Sequence, residues 1–172
     1  MRQSSVPYLI SFLLFLAAQI FLFDNMTLFG NAFCFVYVAF ILFLPFNISS
    51  VVLIALAFAG GLAADLFYNT MGVNAAATVL LAFLRKPWLS LITPPGGYED
   101  ISAPMIGPLG FSWFVNYIFP LVFIHHLVLF QIESGHFLIG WFVVKKVIAS
   151  TLFTSTVLIL IQYLFYRKVR TL

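Results

Sequence analysis

Residues 48–67 read ISSVVLIALAFAGGLAADLF, and this stretch decides the fold class. A helix needs about 20 predominantly apolar residues to cross the hydrocarbon core of a bilayer. The first charged side chain of the stretch is Asp65, close to its end. The segment is therefore long enough and apolar enough to be a membrane-spanning helix, and similar apolar runs lie on both sides of it.

The composition of the whole chain points the same way. Of its 172 residues, 63% are hydrophobic and only 8% are charged, whereas a soluble domain has about a quarter of its residues charged. So few charges cannot cover a soluble core, and the apolar residues need lipid as their solvent. The sequence predicts an all-α integral membrane protein, a polytopic bundle of about six transmembrane helices with no soluble domain.

Breaker residues divide the chain into the predicted spans. Asp24 and Asn25 are expected to end the first span, and Pro45 the second, because proline cannot continue a helix without losing a hydrogen bond. A stretch rich in Pro and Gly at 93–110 predicts irregular backbone, which is not stable facing lipid and is expected to form the inner loop. The predicted spans cover about residues 6–23, 28–44, 48–67, 72–92, 111–130 and 147–166.

The basic residues predict the orientation of these spans. Cytoplasmic segments next to spans carry an excess of Lys and Arg. An arrangement with both termini inside leaves only Lys145 and Lys146 near the outer interface. The basic residues placed inside are Arg2, Arg85, Lys86, Arg167, Lys168 and Arg170. Because topology accounts for the net charge of +3, no nucleic-acid partner is expected.

Small residues line one face of the third predicted span. Ala55, Ala59 and Ala63 lie four residues apart and so share a helix face. Small residues at this spacing let two helix backbones approach closely in a membrane. Two interpretations stay open: packing against another span of this chain, such as the sixth, or docking of a partner's transmembrane helix. Ala57 with Gly61, and Gly60 with Ala64, widen the face.

Asp65 ends this face. A carboxylate near the hydrocarbon is costly, roughly 3 kcal/mol at the centre of a helix by insertion scales, so it is usually retained for a reason. One interpretation is a capping or interface role, since the turn-like residues 68–70 follow it. The other is an intramembrane ion pair with Lys145 or Lys146, which approach the same outer level in the predicted topology.

His125, His126 and Glu133 are the remaining polar residues of interest. Adjacent helical residues point about 100° apart, so the two histidines do not converge on one metal as an i, i+4 pair does. Glu133 lies about two turns beyond His126. We expect hydrogen-bonded polar residues inside the bundle, with no metal, no cofactor and no catalytic residue. Phosphate-loop, paired-cysteine, zinc-protease and serine-hydrolase motifs are missing from the sequence, so an enzyme is not expected.

The segment Gly61-Leu62-Ala63-Ala64-Asp65, followed by Gly72 and three alanines at 75–77, resembles the rod shape-determining protein MreD family. That family has a Gly-Leu-x-x-Asp element leaving one span and a glycine opening the next. The chain length, the roughly six spans and the order of later motifs are also similar. Carried over residue by residue, the resemblance marks Gly61, Leu62, Asp65 and Gly72.

This resemblance implies a role in bacterial cell elongation. It implies a multi-pass protein of the cytoplasmic (inner) membrane that acts as a scaffold in the complex guiding side-wall peptidoglycan synthesis. Neither a reaction nor a cofactor is implied. The partners it implies are an MreC-like bitopic protein, the actin-like MreB, the polymerase RodA and a penicillin-binding transpeptidase, together with membrane lipid.

The alternative is a substrate-binding membrane component of an energy-coupling-type vitamin transporter. Such components are also small proteins of about six spans, with an Ala-x-x-x-Ala pattern in the first span. Here Ala17 and Ala18 are adjacent, and Phe21 and Leu22 stand four residues on. A buried polar vitamin pocket would also need more hydrogen-bonding side chains than these spans offer.

Overall fold

The structure is a computed structural model that describes residues 6–23, 26–28, 30–99, 101–136 and 138–164. Its elements in chain order are α1 (Val6–Ala18), a π-helical turn (Gln19–Phe23), β1 (Thr27–Leu28), β2 (Ala32–Phe33), α2 (Val38–Leu42), α3 (Ser50–Tyr68), α4 (Val73–Leu91), α5 (Ile106–Leu109), α6 (Phe111–Ser134) and α7 (Trp141–Leu164). Some predicted features lie outside the described residues: Arg2, Asp24, Asn25, Tyr166, Arg167, Lys168 and Arg170.

The described part of the chain is mostly helical, and three of its helices have the length and composition needed to cross a membrane. These are α3, α6 and α7, and a shorter apolar helix covers Ile10–Phe23. The prediction of a mainly helical membrane protein is confirmed at this level. Helix α4 is as long as α3 but more polar, since Asn74, Thr78 and Arg85 lie within it.

The predicted span over residues 28–44 is wrong as a continuous helix. A two-stranded antiparallel hairpin pairs Thr27 with Phe33 and Leu28 with Ala32. Two residues without regular structure and a turn at 36–37 follow, and then only the short helix α2. Most side chains from Cys34 to Leu44 are buried inside the bundle. The segment is apolar because it lies in the protein interior, and a short apolar run has the same appearance in sequence whether it is helical or extended.

A tight connection joins α3 to α4. The Ser49 hydroxyl caps the start of α3 by accepting a hydrogen bond from the Val52 N–H at 3.3 Å. The helix ends at Asn69, whose φ of 53° is left-handed, a conformation that Asn adopts more readily than most residues. Gly72, with φ of 82°, then begins α4. Helix α4 continues through Pro87 to its end at Leu91, within the predicted span.

The helices pack around the buried segment. Helix α4 packs against α3 and α6, α7 packs against α6 and β2, and α1 packs against α2 and α3. One end of this bundle carries the β hairpin, the α3–α4 connection and the α6–α7 connection, and we call it the hairpin end. The opposite end carries residues 93–110 and we call it the loop end. There the ring of Tyr98 stacks on Phe46 with centroids 4.3 Å apart, so the loop folds back onto the bundle.

The last two helices are longer than predicted at the hairpin end. Helix α6 continues to Ser134, and α7 begins at Trp141. Lys145 and Lys146 therefore lie inside α7, where the sequence prediction placed them before the span.

Candidate functional site

The α3–α4 joint is built on a glycine that no other residue can replace without movement. A Cβ added to Gly61 would lie 2.7 Å from the Ala75 nitrogen and 2.7 Å from the Asn74 carbonyl oxygen, closer than real Cβ contacts. The backbone of α3 therefore touches the backbone of α4 at this point. Of the two interpretations of the small-residue face, packing within the chain is the one that Gly61 serves.

Asp65 lies one turn further along α3 and binds the first turn of α4. Its Oδ1 accepts hydrogen bonds from the Asn74 N–H at 2.9 Å and from the Asn74 side-chain amide at 3.1 Å. Its Oδ2 accepts from the Ala75 N–H at 2.9 Å, and the Thr70 hydroxyl also donates to Oδ1. Asp65 is 3% exposed. The capping interpretation of Asp65 fits this geometry.

The predicted ion pair between Asp65 and a lysine is wrong. Lys146 pairs with Glu133 at 2.9 Å, and Lys145 lies over the ring of Trp141 at 5.4 Å. The reason is the longer α6 and α7, which bring Glu133 opposite Lys146. Glu133, predicted to lie within the bundle, is about half exposed at 49%.

The other small residues of α3 divide between two environments. Gly60 faces α1, where an added Cβ would lie 3.2 Å from the Phe12 ring. Ala55 and Ala59 are exposed, and Ala63 is half-buried. Ala57 and Ala64 are buried. Gly72 was predicted as a packing residue, but a Cβ there would touch nothing within 4 Å, and its positive φ is what requires glycine.

Hydroxyl groups of α7 stabilise residues 33–37, the end of β2 and the irregular chain after it, which we call the irregular segment. The Phe33 N–H donates to the Ser150 hydroxyl at 2.9 Å, and the Phe35 N–H donates to the Thr154 hydroxyl at 3.1 Å. Ser150 and Thr154 lie one helical turn apart, so they act as a partner strand would. Buried backbone N–H groups need such partners, and the two hydroxyls supply them.

Gln19 stabilises the other side of the same segment. It lies in the π-helical turn and is 1% exposed. Its side-chain NH₂ donates to the Cys34 carbonyl at 3.0 Å and to the Tyr68 hydroxyl at 2.7 Å. Its side-chain oxygen accepts from the Tyr37 N–H at 3.3 Å. One amide in the π-helical turn thus connects to both the irregular segment and α3.

A buried polar chain leads from Asp65 to His125. The Tyr37 hydroxyl donates to Oδ1 of Asn74 at 3.1 Å, and the Thr78 hydroxyl donates to the Asn74 carbonyl at 2.7 Å. Nε2 of His125 lies 3.1 Å from the Tyr37 oxygen, which itself lies 3.0 Å from the Thr78 oxygen, so the imidazole belongs to the same network. Nδ1 of His125 has no hydrogen-bond partner among the described residues.

His126 forms hydrogen bonds through both of its ring nitrogens. Its Nδ1 lies 2.7 Å from the Val122 carbonyl, which can only accept, so Nδ1 carries the proton. Its Nε2 then accepts from the Thr154 hydroxyl at 3.2 Å. Both histidines are fully buried. His125 contacts Tyr37 of the buried segment, whereas His126 bonds to Val122 of its own helix and to Thr154 of α7.

Arg85 is buried at 0% exposure, on the loop-end side of the same segment. Its Nε donates to the Tyr117 hydroxyl at 2.8 Å, and its Nη2 donates to the Leu44 carbonyl. The Tyr117 hydroxyl in turn donates to the Leu42 carbonyl at 2.7 Å. These bonds satisfy carbonyls at the end of α2, which would otherwise lack partners. The topology prediction counted Arg85 among the basic residues of the inner side, whereas its side chain is buried within the bundle.

A pocket of about 230 Å³ opens at the hairpin end. Lys146 and Glu133 line it together with buried Gln19 and Asn74. Its apolar walls include Phe33, Phe35, Leu129 and Phe130. In the part of the chain that the structure describes, no three His, Cys, Asp or Glu side chains come close enough to hold a metal ion.

Sequence reasoning missed most of these residues. Gln19, Tyr37, Arg85, Ser150 and Thr154 were not predicted to act in the interior. The available signal was polarity within apolar runs: Gln19 is the only amide between Val6 and Phe23, and Ser150 and Thr154 share one helix face.

Comparison with known protein families, curated proteins and solved structures finds no match to this chain.

Proposed function

We propose that this protein is a non-enzymatic membrane scaffold of the MreD type, which binds partner transmembrane helices in the complex for bacterial cell elongation. The proposal begins from the motif at residues 61–72. Three of its four residues have roles inside the protein: Gly61 allows close approach, Asp65 caps α4, and Gly72 supplies a positive φ. These roles fix α3 rigidly against α4.

The observation that carries the proposal is the opposite face of α3. Leu62, the fourth motif residue, is 41% exposed. Ala55, Ala59 and Leu66 are exposed too. Together with Leu62 they follow the spacing i, i+4, i+7, i+11, which places them on one face. We call these four residues the α3 outer face.

This face suits a partner helix because its small residues permit close backbone approach. Gly61 and Asp65 hold α3 against α4, so the face is presented in a fixed orientation. The partner implied is the single transmembrane helix of an MreC-like protein, and in the proposed complex MreB, RodA and a penicillin-binding transpeptidase join through it. The proposal places the protein in the inner membrane with both termini in the cytoplasm.

The test is co-purification from native membranes in mild detergent, with Ala59→Leu compared to the tagged wild-type protein. A bulky side chain in the α3 outer face is expected to reduce recovery of the MreC-like partner several-fold. Thr156→Leu is the matched control, since Thr156 is an exposed residue on α7. Gly61→Leu is unsuitable because it would disrupt the α3–α4 joint itself.

Two results would contradict the proposal. In one, Ala59→Leu inserts, folds and recovers its partners as well as the Thr156→Leu control. In the other, wild-type protein co-purifies with a pair of transporter ATPases and a coupling subunit, which favours the alternative of a vitamin-transporter component.

A further inference from the structure

The pocket at the hairpin end carries a balanced pair of charges at its edge. Lys146 Nζ lies 2.9 Å from Glu133 Oε2. The same ammonium lies 4.7 Å from the ring centroid of Phe33 and 4.4 Å from that of Phe130. The two rings and the carboxylate hold the ammonium at the pocket wall, where the Lys146 side chain is 17% exposed.

This pair has unused hydrogen-bonding capacity. An ammonium has three N–H donors and a carboxylate about four acceptor positions. The Glu133–Lys146 bond uses one of each, and among the described residues no second hydrogen bond to either group is formed. Two donors and several acceptors therefore remain for a bound molecule, side by side.

The rest of the pocket lining is uncharged. Gln19 and Asn74 line its buried part, and both are held by hydrogen bonds to the protein. Gln19 lies in a π-helical turn, a feature that recurs at functional sites. The walls are phenyl rings and aliphatic side chains. An occupant therefore meets apolar walls, a fixed polar floor and one charge of each sign.

Size restricts the occupant further. Pockets for drug-sized ligands start at roughly 300 Å³, and this one has about 230 Å³. It suits a molecule no larger than an amino acid or a lipid headgroup.

We propose that this pocket binds a small zwitterion, with its anionic group on Lys146 and its ammonium on Glu133. A ligand with a net charge would leave that charge uncompensated beside the phenyl rings of the pocket wall, which is unfavourable. A zwitterion pairs both charges and keeps the site neutral. This chemistry comes from two sources, a free apolar α-amino acid or the phosphoethanolamine headgroup of a lipid. The inference does not depend on the scaffold function.

The experiment measures thermal unfolding of the purified full-length protein in mild detergent with defined probes. L-leucine and dihexanoyl phosphatidylethanolamine are the two zwitterions. 4-Methylpentanoate and 3-methylbutylamine each carry one of leucine's charges, and dihexanoyl phosphatidylglycerol is the anionic lipid. We expect at least one zwitterion to raise the Tm saturably, by about 2 °C or more. Leucine alone points to a free solute, and the phosphatidylethanolamine alone to a lipid headgroup.

Variants assign the effect to the pocket. Lys146→Gln and Glu133→Gln are each expected to abolish the response, whereas Lys145→Gln keeps it, because Lys145 lies over Trp141 and outside the pocket lining. If a single variant does not fold, the double exchange Glu133→Lys with Lys146→Glu restores a charge pair and is expected to keep the response. The proposal is overturned if no zwitterion raises the Tm or if a single-charge probe matches its zwitterion. It is also overturned if Lys146→Gln responds as wild type, or if the folded double exchange does not respond.

Discussion

The backbone N–H and the side-chain amide of Asn74 both donate to one oxygen of Asp65, at 2.9 and 3.1 Å. Asp65 belongs to α3, yet it does for α4 what an N-cap side chain normally does. Gly72, at the N-cap position, has no side chain to offer. The negative charge of Asp65 also complements the dipole at the N-terminus of α4. One carboxylate thus sets both the end of one helix and the start of the next.

Asp65→Asn is therefore expected to lower the free energy of unfolding by about 1–3 kcal/mol. The new amide NH₂ would face backbone N–H donors and leave a buried group without an acceptor. Denaturant-induced unfolding in detergent micelles measures the loss. Glu133→Gln is the control, and because its ion pair is partly exposed it should cost only about 0–1 kcal/mol. Equal stability of Asp65→Asn and wild type would contradict the capping role.

A double-mutant cycle separates the observed ion pair from the one expected at first. Glu133→Gln and Lys146→Gln should be non-additive by about 0.2–1 kcal/mol, since the two groups touch. Asp65→Asn and Lys146→Gln should add within about 0.5 kcal/mol, because they share no partner. A clear coupling between Asp65 and Lys146 in the same unfolding assay would argue against the arrangement described here.

The neighbouring glycines of α3 should differ in their tolerance of alanine. Gly61→Ala forces a methyl group into the backbone of α4 and is expected to cost about 1–3 kcal/mol or more. Gly60→Ala should cost less, since only the Phe12 ring must shift. The thermal unfolding midpoints of the two variants give the order directly. A larger loss for Gly60→Ala than for Gly61→Ala would contradict the close backbone contact at Gly61.

Thr154→Val tests how α7 holds the irregular segment at residues 33–37. The change removes the hydroxyl that accepts from the Phe35 N–H and is expected to destabilise by about 1–3 kcal/mol. Local opening should be visible as faster alkylation of Cys34, the only cysteine of the chain and a buried one. Thr156→Val is the control, since within the described parts of the chain Thr156 bonds only to the Leu152 carbonyl of its own helix. Equal alkylation rates in the two variants would mean that Thr154 does not hold the segment.

Tyr117→Phe tests the other end of the buried segment. It leaves the Leu42 carbonyl and Arg85 Nε without their partner, so a loss of about 1–3 kcal/mol is expected. Tyr163→Phe, at an exposed site on α7, should change stability by less than about 0.5 kcal/mol. The free energies of unfolding of the two variants are compared in the same detergent. Similar losses would contradict the proposed role of Tyr117 in satisfying the Leu42 carbonyl and Arg85.

The parts of the fold that were predictable are those governed by local chemistry. Long apolar runs predicted α3, α6 and α7, and the turn at Asn69 and Gly72 was visible in the sequence. Residues 28–44 were not, because an apolar run in a protein interior reads like one in lipid. Arg85 was misjudged for a related reason: its hydrogen-bond partners, Tyr117 and Leu44, are distant in sequence. The pocket required α6 and α7 to extend far enough for Glu133 to face Lys146.

The hydroxyls that hold the segment after β2 imply an order of biogenesis. Phe33 and Ser150 are separated by 117 positions, and Phe35 and Thr154 by 119. When residues 30–37 leave the ribosome, their partners on α7 have not been synthesised. Backbone N–H groups are costly to leave unpaired away from water. The N–H groups of Phe33 and Phe35 must therefore stay hydrated until α7 has been made, so a helix synthesised more than a hundred residues later completes this early segment.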